Sequence, residues 1–164
     1  MTRTRTLGLA ALLLTLVADQ ASKLYVLFGL ALQPGQSVDL GRLITLVYTW
    51  NRGISFSLFQ QDDALGRWGL TAFMLIASLL LGFWLWRTRD RVVALGLGFI
   101  VGGALGNAVD RIANGAVFDF LRLDLGFFVW PAIFNIADAA IVVGVAFLLY
   151  DSLMTDRGHA VKTP

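Results

Sequence analysis

The stretch VVALGLGFIVGGALGNAV, residues 92–109, contains no charged side chain and no proline. A helix that crosses the hydrocarbon core of a bilayer needs about 20 predominantly apolar residues, and this stretch comes close to that length. Three further stretches meet the same criterion. The first in the chain includes Asp19 and Lys23, the last includes Asp138, and the one at about 68–86 has no charge. The sequence therefore predicts an all-α integral membrane protein, a single membrane domain over 1–164, with transmembrane helices at about 7–32, 65–86, 92–110 and 131–153.

The composition supports this class. The chain has 164 residues, of which 57% are hydrophobic and 15% are charged, whereas about a quarter of an average soluble domain is charged. The absence of cysteine excludes disulfides and thiolate chemistry, and His159 alone cannot form a multi-histidine metal site. We therefore expect no metal and no cofactor. The net charge of +2, without a basic stripe, gives no indication of nucleic-acid binding.

Positive charges gather on one side of the predicted helices, before the first, between the second and third, and after the fourth. These residues are Arg3, Arg5, Arg87, Arg89, Arg91, Arg157 and Lys162. The positive-inside rule then places both termini, the short link and a tail at 154–164 in the cytoplasm. The two longer connections, about 33–67 and 110–130, would face outward.

The first predicted helix has a competing interpretation. Arg3 and Arg5 followed by the apolar residues 7–17 also form the pattern of a secretory signal peptide. Cleavage would remove the polar residues 19–23, and three further spans follow. We therefore favour a retained helix.

The outer connection between helices 1 and 2 is more than a linker. Pro34-Gly35 is a turn signal, and residues 37–50 are rich in Val, Leu, Ile, Thr and Tyr. This pattern predicts one or two short strands, a small extracytoplasmic sheet within about 36–60. Asp62-Asp63 is predicted to cap the next helix.

Charged residues at bilayer depth cost several kcal/mol, so they are functional candidates by default. Asp19 and Lys23 stand at i, i+4 and can pair, and a purely structural ion pair is an equally good interpretation. Gly98, Gly102 and Gly106 repeat at i+4 and predict a face for close helix packing.

Three groups of polar residues follow. Asn107, Asp110 and Arg111 share one face at a helix end, where they could also be only a cap or a bridge. Asp119 stands among apolar residues and could be an exposed loop carboxylate. Asn135 and Asp138 share a face, with Asp138 about two turns into helix four. A lone aspartate there could relay protons, bind an ion or pair with Lys23 or Arg111.

Two neighbouring carboxylates at a membrane surface suggest one particular chemistry. They do not easily ionise together, so one retains its proton. The ionised group can act as a general base towards water, and the protonated group can polarise a carbonyl and protonate a leaving amine. Spacing alone does not identify which aspartates are neighbours.

Taken in order, five segments resemble the lipoprotein signal peptidase (signal peptidase II) family. They are Asp19-Gln20-Ala21-Ser22-Lys23, Asn51-Arg52-Gly53-Ile54-Ser55-Phe56, residues 102–111, Val117-Phe118-Asp119-Phe120 and Phe134-Asn135-Ile136-Ala137-Asp138. The resemblance implies an intramembrane aspartyl endopeptidase that removes the signal peptide from diacylglyceryl-modified bacterial prolipoproteins, just before the lipidated cysteine. It also implies that the outer sheet is the family's β-cradle.

By motif position, the resemblance assigns the catalytic aspartates to Asp119 and Asp138. It assigns supporting or substrate-binding roles to Asn51, Gly53, Asn107, Arg111, Asn135, Asp110, Asp19 and Lys23. The expected partners are prolipoprotein substrates and membrane lipid, and the expected state is a monomer. The expected location is the bacterial cytoplasmic (inner) membrane, with the active site at its outer face.

Two functions from other classes compete with the peptidase. A small proton-coupled transporter would use Asp138 and Lys23 as relay groups, but it requires polar residues along a whole pore, whereas here they gather at one side. A scaffold subunit without chemistry would use its aspartates as caps, but it leaves the joint presence of Asn51, Asn107 and Arg111 unexplained. The distance between Asp119 and Asp138 in the fold distinguishes these alternatives.

Overall fold

The computed structural model describes residues 3–53 and 64–160. Helix α1 (Arg3–Leu24) continues as a π-helical turn (Tyr25–Gly29). The later elements are β1 (Ser37–Leu40), β2 (Ile44–Asn51), α2 (Ala64–Arg87), α3 (Arg91–Asn114), β3 (Val117–Leu123) and α4 (Ile136–Ala160). Within the described residues, four helices are long and apolar enough to cross a membrane. The predicted fold class, a four-helix membrane protein with a small sheet, is confirmed.

Helix α3 lies at the centre and packs against the other three helices. Its glycines permit this close approach. A Cβ atom on Gly102 would lie 2.6 Å from the carbonyl oxygen of Leu12 in α1, and one on Gly103 would lie 2.5 Å from that of Ala137 in α4. The predicted packing role of the glycine face is confirmed, and α3 carries a second glycine face, towards α4, that the i+4 pattern did not reveal.

The sheet joins both outer connections. Its strand order is β1-β2-β3, with antiparallel pairs throughout. Strand β3 lies between α3 and α4 in the chain, so the predicted placement of the sheet between helices 1 and 2 holds for β1 and β2 only. Residues 117–120 are all buried and lack the alternation of a half-buried strand. Pairing with β2 makes this segment a strand. Residues 54–60 of the predicted sheet lie outside the described residues.

An apolar core fastens the sheet to the end of α1. Its buried members are Val26, Leu32, Leu46, Phe118 and Phe120. The rings of Tyr48 and Trp50 each lie 5.2 Å from the ring of Phe118, measured between centroids. This packing holds β3 rigidly beside the helix ends.

The fourth helix begins at Ile136, five residues after the predicted start at 131. The preceding residues are extended instead. The backbone N–H of Phe134 donates to the carbonyl of Leu121 at 3.0 Å, and the N–H of Leu121 donates back at 2.8 Å. Because these backbone groups bond to β3, the chain cannot begin a helix there.

The other bounds differ less. Helix α1 gives way to the π-helical turn that ends at Gly29, before the predicted end at 32. Helix α4 continues to Ala160, so most of the predicted tail at 154–164 is helical. The proposed cap at Asp62-Asp63 lies outside the described residues.

The arginine-rich end of the bundle is opposite the sheet. Arg5 Nε donates to the carbonyl of Trp86 at 2.8 Å, and Thr4 Oγ1 donates to that of Arg89 at 3.3 Å. Asp90 accepts from the N–H of Val92 at 2.6 Å and so caps α3. The chain start and the short α2–α3 link therefore share one end.

Candidate active site

Asp119 lies in the middle of β3, opposite Thr49 of β2, and only 2% of it is exposed. Two side-chain amides hold its carboxylate. Asn51 Nδ2 donates to Oδ2 at 3.0 Å, and Asn135 Nδ2 donates to Oδ1 at 2.6 Å. The loop alternative, an exposed carboxylate, is therefore wrong.

Asp138 lies in the first turn of α4, not two turns into the helix as predicted, because the helix starts later. It forms a reciprocal cap with Asn135. The N–H of Asp138 donates to Asn135 Oδ1 at 2.9 Å, and the N–H of Asn135 donates to Asp138 Oδ2 at 3.3 Å. Asn107 Nδ2 donates to the other oxygen, Oδ1, at 2.8 Å. The capping arrangement fixes this carboxylate at the helix start.

Both aspartates line one cavity of about 840 Å³. Its polar lining consists of Asn51, Asn107, Arg111, Asp119 and Asp138. Its apolar walls come from α2, from the segment before α4 and from α4 itself, and include Leu70, Phe73, Met74, Trp130, Ile133, Phe134, Ile141, Val142 and Val143. The cavity is thus largely apolar, with a small polar patch.

Two amides connect the aspartates, because Asn135 Nδ2 also donates to Asn107 Oδ1 at 3.1 Å. Within the described residues, no lysine or arginine nitrogen lies within ion-pair distance of either carboxylate. Burial, and next the nearby Asp138, raise the pKa of Asp119 from 3.8 to about 7. The hydrogen bonds from Asn51 and Asn135 and the charge of Lys23 oppose this rise. Asp119 is therefore able to hold or release a proton near neutral pH.

Lys23 lies behind the cavity and is almost fully buried. Its Nζ lies 2.8 Å from an oxygen of Asp19 and 2.8 Å from an oxygen of Asp110, and it donates to Asn107 Oδ1 at 3.1 Å. The predicted pair of Asp19 and Lys23 is confirmed, and Asp110 joins it. This cation orients Asn107, whose amide holds Asp138.

The same two carboxylates also hold the backbone. Asp19 Oδ1 accepts from the N–H of Ala137 at 2.9 Å, and Asp110 Oδ2 accepts from the N–H of Phe118 at 3.2 Å. Ala137 directly precedes Asp138, and Phe118 directly precedes Asp119. Each carboxylate therefore fixes the chain one residue before an aspartate of the cavity.

Arg111 contacts no carboxylate of the residues that the structure describes. Its Nη2 donates to the carbonyl of Gly53 at 2.7 Å, and its Nη1 donates to Met74 Sδ at 3.3 Å. The N–H of Gly53 donates to Asn51 Oδ1 at 3.0 Å. Arg111 thus holds the end of β2, and with it the Asn51 side chain, over Asp119. The sequence alternative in which Asp138 pairs with Arg111 does not occur.

The structure brings all ten predicted residues into one network, in two layers. Five line the cavity, and Gly53, Asn135, Asp110, Asp19 and Lys23 hold them from behind. Over residues 3–53 and 64–160, no group of three or more acidic, His or Cys side chains is arranged to hold a metal ion.

Sequence reasoning missed two residues of this network. Gln20 Nε2 lies 3.1 Å from acceptors on Asp19, Gly106 and Asp110. A polar residue inside a predicted span, next to Asp19, was the available signal. Arg67 donates to the terminal carbonyls of α3, and the sequence around it contained no sign of this role.

Curated proteins and a family profile resemble this chain over most of its length. The profile described as Signal peptidase (SPase) II matches residues 11–154. A lipoprotein signal peptidase from Beijerinckia indica is 50% identical over 153 residues, covering 93% of this chain and 91% of that protein. One from Methylorubrum extorquens is 53% identical over 146 residues, covering 89% and 85%.

Solved structures agree on the fold. A bacterial membrane enzyme determined by the in meso method at 2.3 Å superposes with a TM-score of 0.79 at 19% identity, covering 96% of this chain and 93% of the other. A second, determined at 1.9 Å, has a TM-score of 0.74 at 20% identity, covering 89% and 92%. By the profile match and by its identity to these relatives, the chain belongs to the signal peptidase II family.

Proposed function

We propose that this membrane peptidase removes the signal peptide from diacylglyceryl-modified bacterial prolipoproteins, cutting just before the lipidated cysteine, with Asp119 and Asp138 as the catalytic aspartates. The observation that carries the proposal is that the buried Asp119 and the half-buried Asp138 line the polar patch of one apolar cavity, linked through asparagine amides and, among the described residues, without an ion-pair partner.

The chemistry follows from two carboxylates that share a proton. The ionised one accepts a proton from a water molecule as the water oxygen attacks the scissile carbonyl carbon. The protonated one donates a hydrogen bond to the carbonyl oxygen as it becomes an oxyanion. As the tetrahedral intermediate collapses, the C–N bond breaks and the leaving nitrogen takes a proton from a carboxyl group. No metal and no covalent intermediate take part in these steps.

The cavity suits a substrate that is part lipid and part peptide. Its apolar walls between α2 and α4 would take acyl chains, since Leu70, Phe73 and Val142 have no polar side-chain group. Asn51 and Arg111 supply amide and guanidinium groups beside Asp119, where they would contact the peptide backbone. Asn107 and Asn135 orient the two carboxylates. These contacts support the predicted division between catalytic and supporting residues.

The charge distribution supports an orientation. The arginine-rich end, where Arg5 contacts Trp86, is opposite the sheet and the cavity's polar patch. The positive-inside rule would place that end in the cytoplasm. We therefore propose that the protein is monomeric in the bacterial inner membrane, with both termini cytoplasmic and the aspartates near the outer face.

The test is a gel-shift cleavage assay with purified protein in detergent. A diacylglyceryl-modified prolipoprotein should be shortened by the parent, and the same prolipoprotein without the lipid should be left intact. Asp119→Asn and Asp138→Asn should each lose about 10²–10⁴-fold in rate, as expected when a general acid or base is removed, while melting cooperatively. Full activity in either variant would remove that aspartate from the catalytic pair. A folded parent that leaves the lipidated substrate uncut would overturn the proposed function.

A further inference from the structure

A short hairpin follows β3 and precedes α4. The N–H of Trp130 donates to the carbonyl of Leu123 at 2.9 Å, and the N–H of Leu125 donates to that of Phe128 at 2.9 Å. Asp124 Oδ1 accepts from the N–H of Gly126 at 2.8 Å, and Gly126 has a φ of +80°, which favours glycine. Residues 124–130, called the aromatic hairpin below, therefore form a turn of defined shape.

The tip of the aromatic hairpin is apolar and faces outward. Phe127 is 90% exposed, and Phe128, Val129 and Trp130 are each between 43% and 50% exposed. Side chains of this size rarely protrude together from a surface that contacts only water. The one charged group, Asp124, is occupied with the turn itself. The hairpin thus presents an apolar tip on a polar base.

The hairpin lies next to the start of a candidate membrane span. The candidate span of α4 begins at Ile136, six residues after Trp130. The base of the hairpin is also part of the cavity, since Leu123 and Trp130 both line it. The surface of α4 outside the cavity is itself exposed and apolar, as at Leu149. The hairpin tip adds further exposed apolar side chains shortly before the start of this helix.

We propose that the aromatic hairpin inserts Phe127 and Phe128 into the phospholipid surface next to the cavity and so anchors the rim of the cavity in the bilayer. Aromatic side chains favour the membrane interface. The tip offers two phenyl rings and no charged group of its own, which suits a lipid surface better than a polar partner. An inserted amphipathic segment reaches about 5–10 Å into the boundary between headgroups and acyl chains.

The anchoring has a consequence that rests on the proposed function. The hairpin leaves β3 four residues after Asp119 and returns to α4 through the segment that ends at Asn135. Its depth in the bilayer would therefore set the level of the two catalytic aspartates relative to the lipid–water boundary, where acyl chains and water are both within reach.

The chain has no cysteine, so single cysteines can be labelled cleanly. Phe127→Cys would be labelled with a bimane fluorophore in the full-length protein, reconstituted into phosphatidylcholine and phosphatidylglycerol bilayers. The matched control is Ser37→Cys, an exposed position at the far end of β1 from the hairpin. Lipids with a spin label near the top of the acyl chain should quench the probe at 127 and shift its emission to the blue, and they should leave the probe at 37 largely unquenched.

Equal quenching at the two positions, or none at 127, would overturn the proposal. Two other binding partners of the hairpin, the substrate and a second copy of the chain, would give different fluorescence results. Protection of the probe at 127 only after prolipoprotein is added would assign the hairpin to substrate binding. A signal that disappears on dilution with unlabelled protein would assign it to contact between copies of the chain. Neither lipid quenching nor its absence depends on peptidase activity, so the anchor and the proposed function fail separately.

Discussion

Two pairs of carboxylates lie at the same end of the helix bundle, and their surroundings differ. In the lysine cluster, Asp19 and Asp110 each have an oxygen 2.8 Å from Lys23 Nζ. In the amide-held pair, Asp119 and Asp138 receive hydrogen bonds from asparagines and, within the described chain, no ion pair. A cation keeps a buried carboxylate ionised, whereas neutral amides leave its protonation open.

The comparison also separates two tasks. The lysine cluster bonds to the backbone N–H groups of Ala137 and Phe118, and so holds the chain directly before each member of the amide-held pair. The proposed catalytic pair would need such support, because loose positioning lowers the reaction rate. The carboxylates that have a cation partner thus help to position the two that have none among the described residues.

The largest expected effect on stability concerns Lys23. Lys23→Met leaves two buried carboxylates without a cation and should lower the free energy of unfolding by about 3–5 kcal/mol. The measurement is thermal unfolding in detergent. Arg122→Met, which removes an exposed cation on β3, serves as the control and should change stability by no more than about 0.5 kcal/mol. Equal melting of the two variants would mean that the lysine cluster is not structural.

A smaller effect is expected for Asp110→Asn. The variant loses the ion pair with Lys23 but keeps an oxygen that can accept from the N–H of Phe118, so the expected destabilisation is about 1–3 kcal/mol. Its cleavage rate should fall less than that of Asp119→Asn. Parallel turnover measurements check this order, and a rate loss equal to that of Asp119→Asn would place Asp110 in the catalytic pair.

The pH dependence of stability tests the contrast between the amide-held pair and the lysine cluster. Because the pKa of Asp119 is raised from 3.8 to about 7, the folded protein binds this proton more tightly than the unfolded chain does. The contribution of Asp119 is fully present below about pH 4 and is lost as the pH rises through about 7. Melting temperatures should therefore decline across this window in the parent and decline less in Asp119→Asn. Identical slopes would show that Asp119 does not titrate there.

The smallest effect concerns Asn51. Its amide donates to Asp119 and favours the ionised carboxylate, so Asn51→Ala should raise the pKa of Asp119 further. The midpoint of the decline in melting temperature should then move to higher pH. Thr45→Val, on the same strand and bonded to Asp39 instead, is the control and should leave the midpoint where it is. A shift to lower pH in Asn51→Ala would contradict the role of this hydrogen bond.

Much of the architecture could be predicted from local pattern. Hydropathy located the spans because a bilayer imposes a minimum length of apolar helix. The i+4 glycines correctly indicated a close helix contact, and the structure shows that its partner is α1. The strand at 117–123 was missed because pairing with β2 defines it and burial on both faces conceals its period. The start of α4 was misplaced because bonds from Phe134 to β3 compete with helix formation.

The sequence by itself determined the membrane class, the four apolar helices and the set of polar residues in or near the spans, where apolar residues would cost less free energy. These properties follow from local composition, and the family motifs added the expected division of roles. Only the tertiary structure decided that Asp110 shares the cation of Lys23 with Asp19, and that Asp119 and Asp138 face one cavity. This arrangement arises because α1, α3, β3 and the start of α4 converge at one end of the bundle. A partner at 2.8 Å there is separated by many residues along the chain, as Lys23 is from Asp110.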